Sequence, residues 1–211
     1  MRVRVSPPAP PFSANMSVNF GPLRMIGAVA PSSWWLAQAM TRFVLEKPGV
    51  KRILEVGAGT GAITKVLVRK MSRGQTCDVV EIFPELASIL RLRFFDRKML
   101  AIHCDDIRNF NRRHCYDLIL CSLPFNAFHP KTAMEVLEQL VKLSKPSAVI
   151  SYYEYRALKT FLPLVFKKSR LQRFYETRAL VDQFTDRYKF DEQVINLNIP
   201  PAVVHYLSID N

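Results

Sequence analysis

The sequence predicts an α/β fold, a largely parallel sheet with helices on both faces. Three observations carry this. The run Ile53-Leu54-Glu55-Val56 breaks into Gly57-Ala58-Gly59-Thr60-Gly61 and resumes as a helix-like segment from Ala62 to Lys70, which reads as strand, tight turn, helix, the opening of a nucleotide-binding βα unit. Short apolar runs then alternate with stretches of helical periodicity, as a parallel sheet with crossover helices requires. Finally, two strand-like runs flank Pro200-Pro201 near the end of the sequence, the place for a closing antiparallel pair.

Before the glycine turn, Asn19 to Ala30 is too punctuated by Gly21, Pro22 and Gly27 for a long helix. Ser32 or Ser33 is a good helix cap, and Leu36, Met40, Phe43 and Val44 recur at helical spacing from Trp34 to Glu46 until Lys47-Pro48-Gly49 stops the helix. Lys51 to Val56 is the first sheet strand and Thr76 to Glu81 the second. Pro84 opens a helix through Phe94, where proline is tolerated because its missing N–H has no partner to lose. Met99 to Cys104 is the third strand, followed by Asp105 and Asp106, and Tyr116 to Cys121 the fourth. Lys131 to Leu143 is amphipathic, with Met134, Leu137, Leu140 and Val141 facing inward, and Ala148 to Tyr153 is the fifth strand. Residues 156 to 189 mix Lys and Arg with aromatics and read as one or two basic helices against the sheet edge. Asp191 to Asn198 and Ala202 to Ile209 are the closing strands.

The 211 residues are enough for one domain with a real core, expected over residues 19–211 behind a disordered tail, 1–18. Met1 to Pro11 carries two arginines and four prolines without an apolar centre, so it is not a signal peptide. No apolar run approaches the roughly 20 residues needed to cross a bilayer; Phe161 to Phe166 is typical and contains Pro163. Cys77, Cys104, Cys115 and Cys121 form no C-x-x-C pair and read as buried thiols, with no metal site and a reducing cytoplasm expected. The net charge of +12 implies an anionic partner, nucleic acid or an acidic membrane surface.

The turn itself admits two cofactors. Gly57-x-Gly59-x-x-Ala62 fits a dinucleotide fingerprint, which keeps a dehydrogenase open. Glu55 and Gly61 extend it to E-x-G-x-G-x-G, which resembles the first motif of the class I methyltransferases dependent on S-adenosylmethionine (SAM). There a carboxylate two residues before the first glycine faces the cofactor's ammonium. An acid ending the second strand, Glu81, is placed to accept from ribose hydroxyls.

Four segments resemble the bacterial phospholipid N-methyltransferases of the soluble, membrane-associated type: Gly27-Ala28-Val29-Ala30-Pro31-Ser32-Ser33 with Leu36-Ala37-Gln38-Ala39-Met40; Leu54 to Gly61; Ser122-Leu123-Pro124-Phe125-Asn126-Ala127-Phe128; and Asn198-Ile199-Pro200-Pro201-Ala202. The ribosomal RNA adenine dimethyltransferases are the more distant likeness, with an Asn-Leu-Pro-Tyr motif where this chain has Ser122-Leu123-Pro124-Phe125. The resemblance implies a seven-stranded Rossmann-like SAM-methyltransferase sheet with its last strand antiparallel. It implies SAM as cofactor, with Glu55, Gly57, Gly59 and Gly61 around the methionine portion, Glu81 on the ribose and Asp105 on the adenine. The substrate implied is the amine of a phospholipid such as phosphatidylethanolamine, with RNA as the alternative partner. Ser122 and Leu123 would orient that amine. Tyr153, among the tyrosines leaving the fifth strand, would meet its growing charge. The expected location is cytoplasmic, peripheral at an anionic inner membrane face, docked through the N-terminal segment 19–47 and the basic residues 156–178.

Overall fold

The computed structural model describes residues 33–112, 114–156 and 168–209, with only the backbone of 168–170. The expected tail 1–18, the part of the N-terminal segment before Ser33 and basic residues 157–167 lie outside the described residues. Helices α1 (Trp34–Met40) and α2 (Phe43–Glu46) lead into β1 (Arg52–Val56) and α3 (Ala62–Lys70). Then come β2 (Thr76–Glu81), α4 (Pro84–Arg93), β3 (Leu100–Cys104), β4 (Tyr116–Cys121), α5 (Pro130–Leu143), β5 (Ser144–Tyr155), α6 (Lys168–Tyr188), β6 (Lys189–Ile195) and β7 (Ala202–Ile209).

The strands form one seven-stranded sheet in the order β3-β2-β1-β4-β5-β7-β6. β1 pairs in parallel with both β2 and β4, so the strand order reverses there and a crevice opens at its carboxyl end. β7 runs antiparallel to β5 and to β6, which returns β6 to the direction of the parallel strands. The expected closing pair is therefore present, and the β6–β7 loop emerges on the same edge as the glycine turn.

Side chains alternate across the sheet. One face carries Ile53, Val79, Leu118, Leu120 and Tyr206 under α1, α3 and α4; the other carries Leu54, Val56, Ile119, Ile150 and Tyr152 under α5 and α6. Both faces are covered, which is why β1 and β4 are aliphatic almost throughout. In α5 the buried stripe is Ala133, Val136, Leu137, Leu140 and Leu143, with Met134 and Val141 at its margins.

Four departures from the sequence reading bear on the site and its surroundings. The helix expected from Trp34 to Glu46 is interrupted because the Thr41 hydroxyl donates to the Ala37 carbonyl (2.7 Å), competing with the backbone for that acceptor. β5 begins at Ser144, directly after α5; a register shift between Tyr116 and Leu118 absorbs the extra residues. The described part of the basic segment, α6, does not lie at the sheet edge. α6 packs on α5, on the turn Phe125–Ala127 and on β7, burying Val181 in the second face's core. Finally, β6 ends at Ile195, and Asn198 belongs to the loop.

Candidate active site

The glycine turn is built by backbone geometry that only glycine meets without strain. Gly61 caps α3 at φ +85°, and a Cβ there would stand 2.8 Å from the Phe94 ring and 2.9 Å from Leu90. Gly57 has φ +72°, with Leu123 Cδ2 2.7 Å from where a Cβ would be. The turn after β4 thus seats its leucine directly on the first glycine. Gly59 also has positive φ, but open space surrounds its missing Cβ, so backbone there stays accessible.

The ladder extends past the strand ends. Gly57 N–H donates to the Val80 carbonyl and Ser122 N–H to the Val56 carbonyl, each at 2.9 Å, which holds the turns after β1 and β4 side by side. Glu81 is buried; its Oε2 accepts from Gly59 N–H (2.8 Å) and its Oε1 from Phe83 N–H (3.1 Å). The acid thereby fixes the glycine turn while each oxygen keeps lone-pair capacity for a further donor. Asp105 N–H donates to the Glu81 carbonyl (3.2 Å), placing the third-strand acid next to the second. Of the adjacent pair, Asp106 is the cap: its Oδ1 accepts from Arg108 N–H (3.0 Å), and Arg108 also pairs with its carboxylate (2.6 Å) and with Glu135 (2.9 Å). Asp105 Oδ1 accepts from the N–H of Asp106 (2.8 Å).

Glu55 is the unusual member. It is fully buried beneath α3, where its Oε1 accepts from the Thr64 hydroxyl (2.9 Å) and its Oε2 has no partner among the described residues. Burial pushes its carboxyl up to about 7, against the opposing pull of the Thr64 hydrogen bonds. Thr64 was missed from sequence, although it is the polar residue on the inward stripe Ile63, Thr64, Val66 and Leu67 of α3. Ser122 Oγ is a second buried atom without a partner among the described residues, and Ser151 Oγ, also missed, is a third. Leu123 offers its carbonyl, which already accepts from Phe125 N–H (3.0 Å). Tyr153 stands on the neighbouring strand, since Cys121 pairs with Tyr152, and its ring meets Tyr155 edge to face at 5.4 Å.

The sequence-selected residues thus converge on the carboxyl ends of β1 to β5. These residues fit a cofactor that carries both a cation and hydroxyl donors. Glu55 holds a buried carboxylate oxygen unpartnered among the described residues, Gly59 leaves open space beside its backbone, and Glu81 and Asp105 line up along the edge. Among the described residues no group of His, Cys, Asp or Glu is arranged to hold a metal, and no helix is long and apolar enough to cross a membrane. The four cysteines are free thiols, Cys77 and Cys121 buried and the other two half-buried.

Residues 53–147 match the family model described as a methyltransferase domain. Over 187 residues, 86% of this chain and 87% of the relative, the sequence is 27% identical to ornithine lipid N-methyltransferase of Singulisphaera acidiphila. Among solved structures, N-methyltransferase NodS from Bradyrhizobium japonicum WM9 superposes with a TM-score of 0.62 at 14% identity, covering 83% of this chain and 94% of that one. The complex of that protein with S-adenosyl-L-homocysteine gives a TM-score of 0.61 at 14% identity, covering 82% and 84%. Residues 53–147 thus carry a methyltransferase domain that spans the glycine turn, on a sheet of the fold its structural neighbours have, and the chain is a SAM-dependent methyltransferase with SAM as its cofactor.

Proposed function

We propose that this methyltransferase acts on the amine headgroup of a phospholipid such as phosphatidylethanolamine, at a membrane surface. The observation that carries the reading is the similarity to a lipid N-methyltransferase along most of both chains. That relative's name also favours a second amine, the headgroup of an ornithine lipid, as the substrate. The position held by Asn in the RNA adenine enzymes is Ser122 here, which counts against RNA.

SAM supplies a methyl group on a sulfonium, open to in-line displacement. The chain's own residues then have three tasks. Glu55 Oε2 is free to take the cofactor's ammonium, and Thr64 fixes the carboxylate in place through Oε1. Ser122 Oγ and the remaining lone pair of the Leu123 carbonyl orient the protons of the incoming neutral amine, so that its own lone pair points at the methyl. The Tyr153 ring, braced by Tyr155, attracts the methylammonium as it forms. The amine's proton leaves to water. Glu81 and Asp105 hold the ribose and adenine.

The test is incubation with methyl-labelled SAM and three acceptors in parallel: phosphatidylethanolamine vesicles, ornithine-lipid vesicles and stripped ribosomal RNA. Label in a lipid extract is the expected result. Label confined to RNA, or in none of the three, overturns the reading.

A further inference from the structure

The Asn198-Ile199-Pro200-Pro201 motif has no part in the chemistry above, yet its burial is inverted. Asn198, the polar residue, is 2% exposed, whereas its aliphatic neighbours Leu197 and Ile199 are 66% and 81% exposed. The cause is local. Asn198 Oδ1 accepts from the Ser33 N–H at the start of α1 (3.1 Å), and its Nδ2 donates to the Pro200 carbonyl (2.8 Å). With the amide drawn inward on both sides, the residues flanking it are turned out. A loop made only to be solvated would do the reverse.

The same hydrogen bond brings the loop beside Trp34 and Trp35, which lie edge to face at 4.7 Å and are 53% and 50% exposed. Arg156, exposed at the end of β5, donates its N–H to the Pro201 carbonyl (2.9 Å) and so adds a cation to the rim. Because β6 runs parallel to β5, this loop lies at the carboxyl edge, on the face where α1 packs and near Tyr153 and Tyr155. Two exposed tryptophans, two exposed aliphatics and an arginine, on a chain of net charge +12, share the edge through which an acceptor must enter.

We propose that the β6–β7 loop and the start of α1 form one bilayer-docking surface, with Leu197 and Ile199 inserted among the acyl chains. Trp34 and Trp35 sit at headgroup level and Asn198 is the pin that presents the two aliphatics. The proposal rests on the lipid reading above and gives it an entry route: a headgroup lifted slightly from an anionic bilayer arrives at the β4 and β5 ends with its tails still in the membrane. Indole rings suit the interface, and each inserted aliphatic side chain adds apolar burial to the attraction between basic residues and anionic lipid.

The experiment uses the full chain and vesicles of phosphatidylcholine with increasing phosphatidylglycerol. Trp34 and Trp35 are the chain's only tryptophans, so selectively excited tryptophan fluorescence reports on this surface alone. A blue shift on vesicle addition and quenching by brominated acyl chains are expected. The Leu197→Ser/Ile199→Ser variant should bind vesicles more weakly by about tenfold or more. Its SAM affinity should be unchanged, as should its turnover of a short-chain lipid dispersed as monomers. Ile199→Trp should restore binding in the Leu197→Ser background. Leu92→Ser/Phe95→Ser removes equally exposed apolar side chains by the opposite edge of the sheet and should leave binding as it was.

Vesicle binding by the Leu197/Ile199 variant equal to that of the starting protein overturns the proposal. An equal loss in the Leu92/Phe95 variant does so too, as does light scattering that shows the patch to be the seat of a second copy. If lipid is methylated but these variants dock normally, only this inference fails. If docking needs Leu197 and Ile199 but no amine lipid is methylated, the substrate reading fails and the surface stands.

Discussion

Two buried carboxylates on neighbouring strands, facing opposite sides of the sheet, show how partners decide what an acid is for. Asp78 lies in the amino half of β2, where its Oδ2 accepts from the Tyr116 hydroxyl (2.8 Å) and its Oδ1 lies 2.7 Å from His103 Nε2. Arg52 and Arg112 complete the surround at 3.9 and 3.8 Å. Burial works to raise its pKa, but the His103 and Tyr116 contacts with Arg112 win and hold it below the usual carboxylate range. Glu55, at the carboxyl end of β1, has one hydroxyl partner and one oxygen with none, and burial lifts it to about 7. A satisfied charge is structure; an unsatisfied one in a buried position is capacity held for a ligand.

The largest effect expected on that contrast is in stability. Asp78→Ala strands a buried Tyr116 hydroxyl and two arginines and should lower the unfolding free energy by about 3 kcal/mol, read by urea denaturation. SAM affinity should not change. The reverse pattern is expected for Glu55→Gln. Calorimetry should show SAM binding weaker by about 10- to 100-fold, the worth of a charge-assisted contact, while the ligand-free protein melts no earlier.

The two acids also predict opposite pH behaviour. Glu55 has a raised pKa in the folded state. Between its unfolded value near 4.5 and about 7, the native protein holds a proton that the unfolded chain has lost. Ligand-free stability from this group therefore falls as pH rises through that window and is lowest above 7. SAM affinity moves the other way, strengthening from pH 6 to 8 as the carboxylate becomes available for the ammonium, and Glu55→Gln should flatten both curves. Asp78 has a depressed pKa, so its contribution is present above the ordinary carboxylate range and is lost as pH falls below it. Melting temperature against pH, in both variants, separates the two.

Smaller effects belong to the turns. Gly57→Ala forces an L-residue to φ +72° and pushes on Leu123, a strain of about 1–2 kcal/mol that should lower kcat/KM together with thermal stability. Ser122→Ala removes a hydroxyl with no protein partner, so folding should be unaffected and kcat should fall by about fivefold with SAM affinity intact. If Ser122→Ala instead changes only SAM affinity, the hydroxyl faces the cofactor and not the amine.

Much of this was legible in the sequence because it is local. The strand Tyr116–Cys121, the helix Ala62–Lys70 and the strand Thr76–Glu81 coincide with their expected limits, since a glycine turn, strand-length apolar runs and helical periodicity are properties of neighbouring residues. Asp106 is spent on its own cap, which leaves Asp105 as the acid proposed for the adenine. The misses are non-local. Nothing near Thr64 in the chain says that it will meet Glu55, and no local signal lays α6 on α5 and β7 instead of at the sheet edge.

Sequence alone determined the sheet's class, the position of the glycine turn, the sign of the molecule's charge and which acids end which strands, because backbone conformational limits and hydrophobic periodicity act over a few residues. Only the tertiary structure decided which polar atoms are left without partners and which apolar ones are left outside. Glu55 is charged with possibility because Thr64 satisfies one oxygen only, and Ile199 faces outward because Asn198, 165 positions from Ser33, is held inward by it. Desolvation and hydrogen-bond satisfaction are settled by every element that packs around a group, so they exist only once the whole sheet has closed.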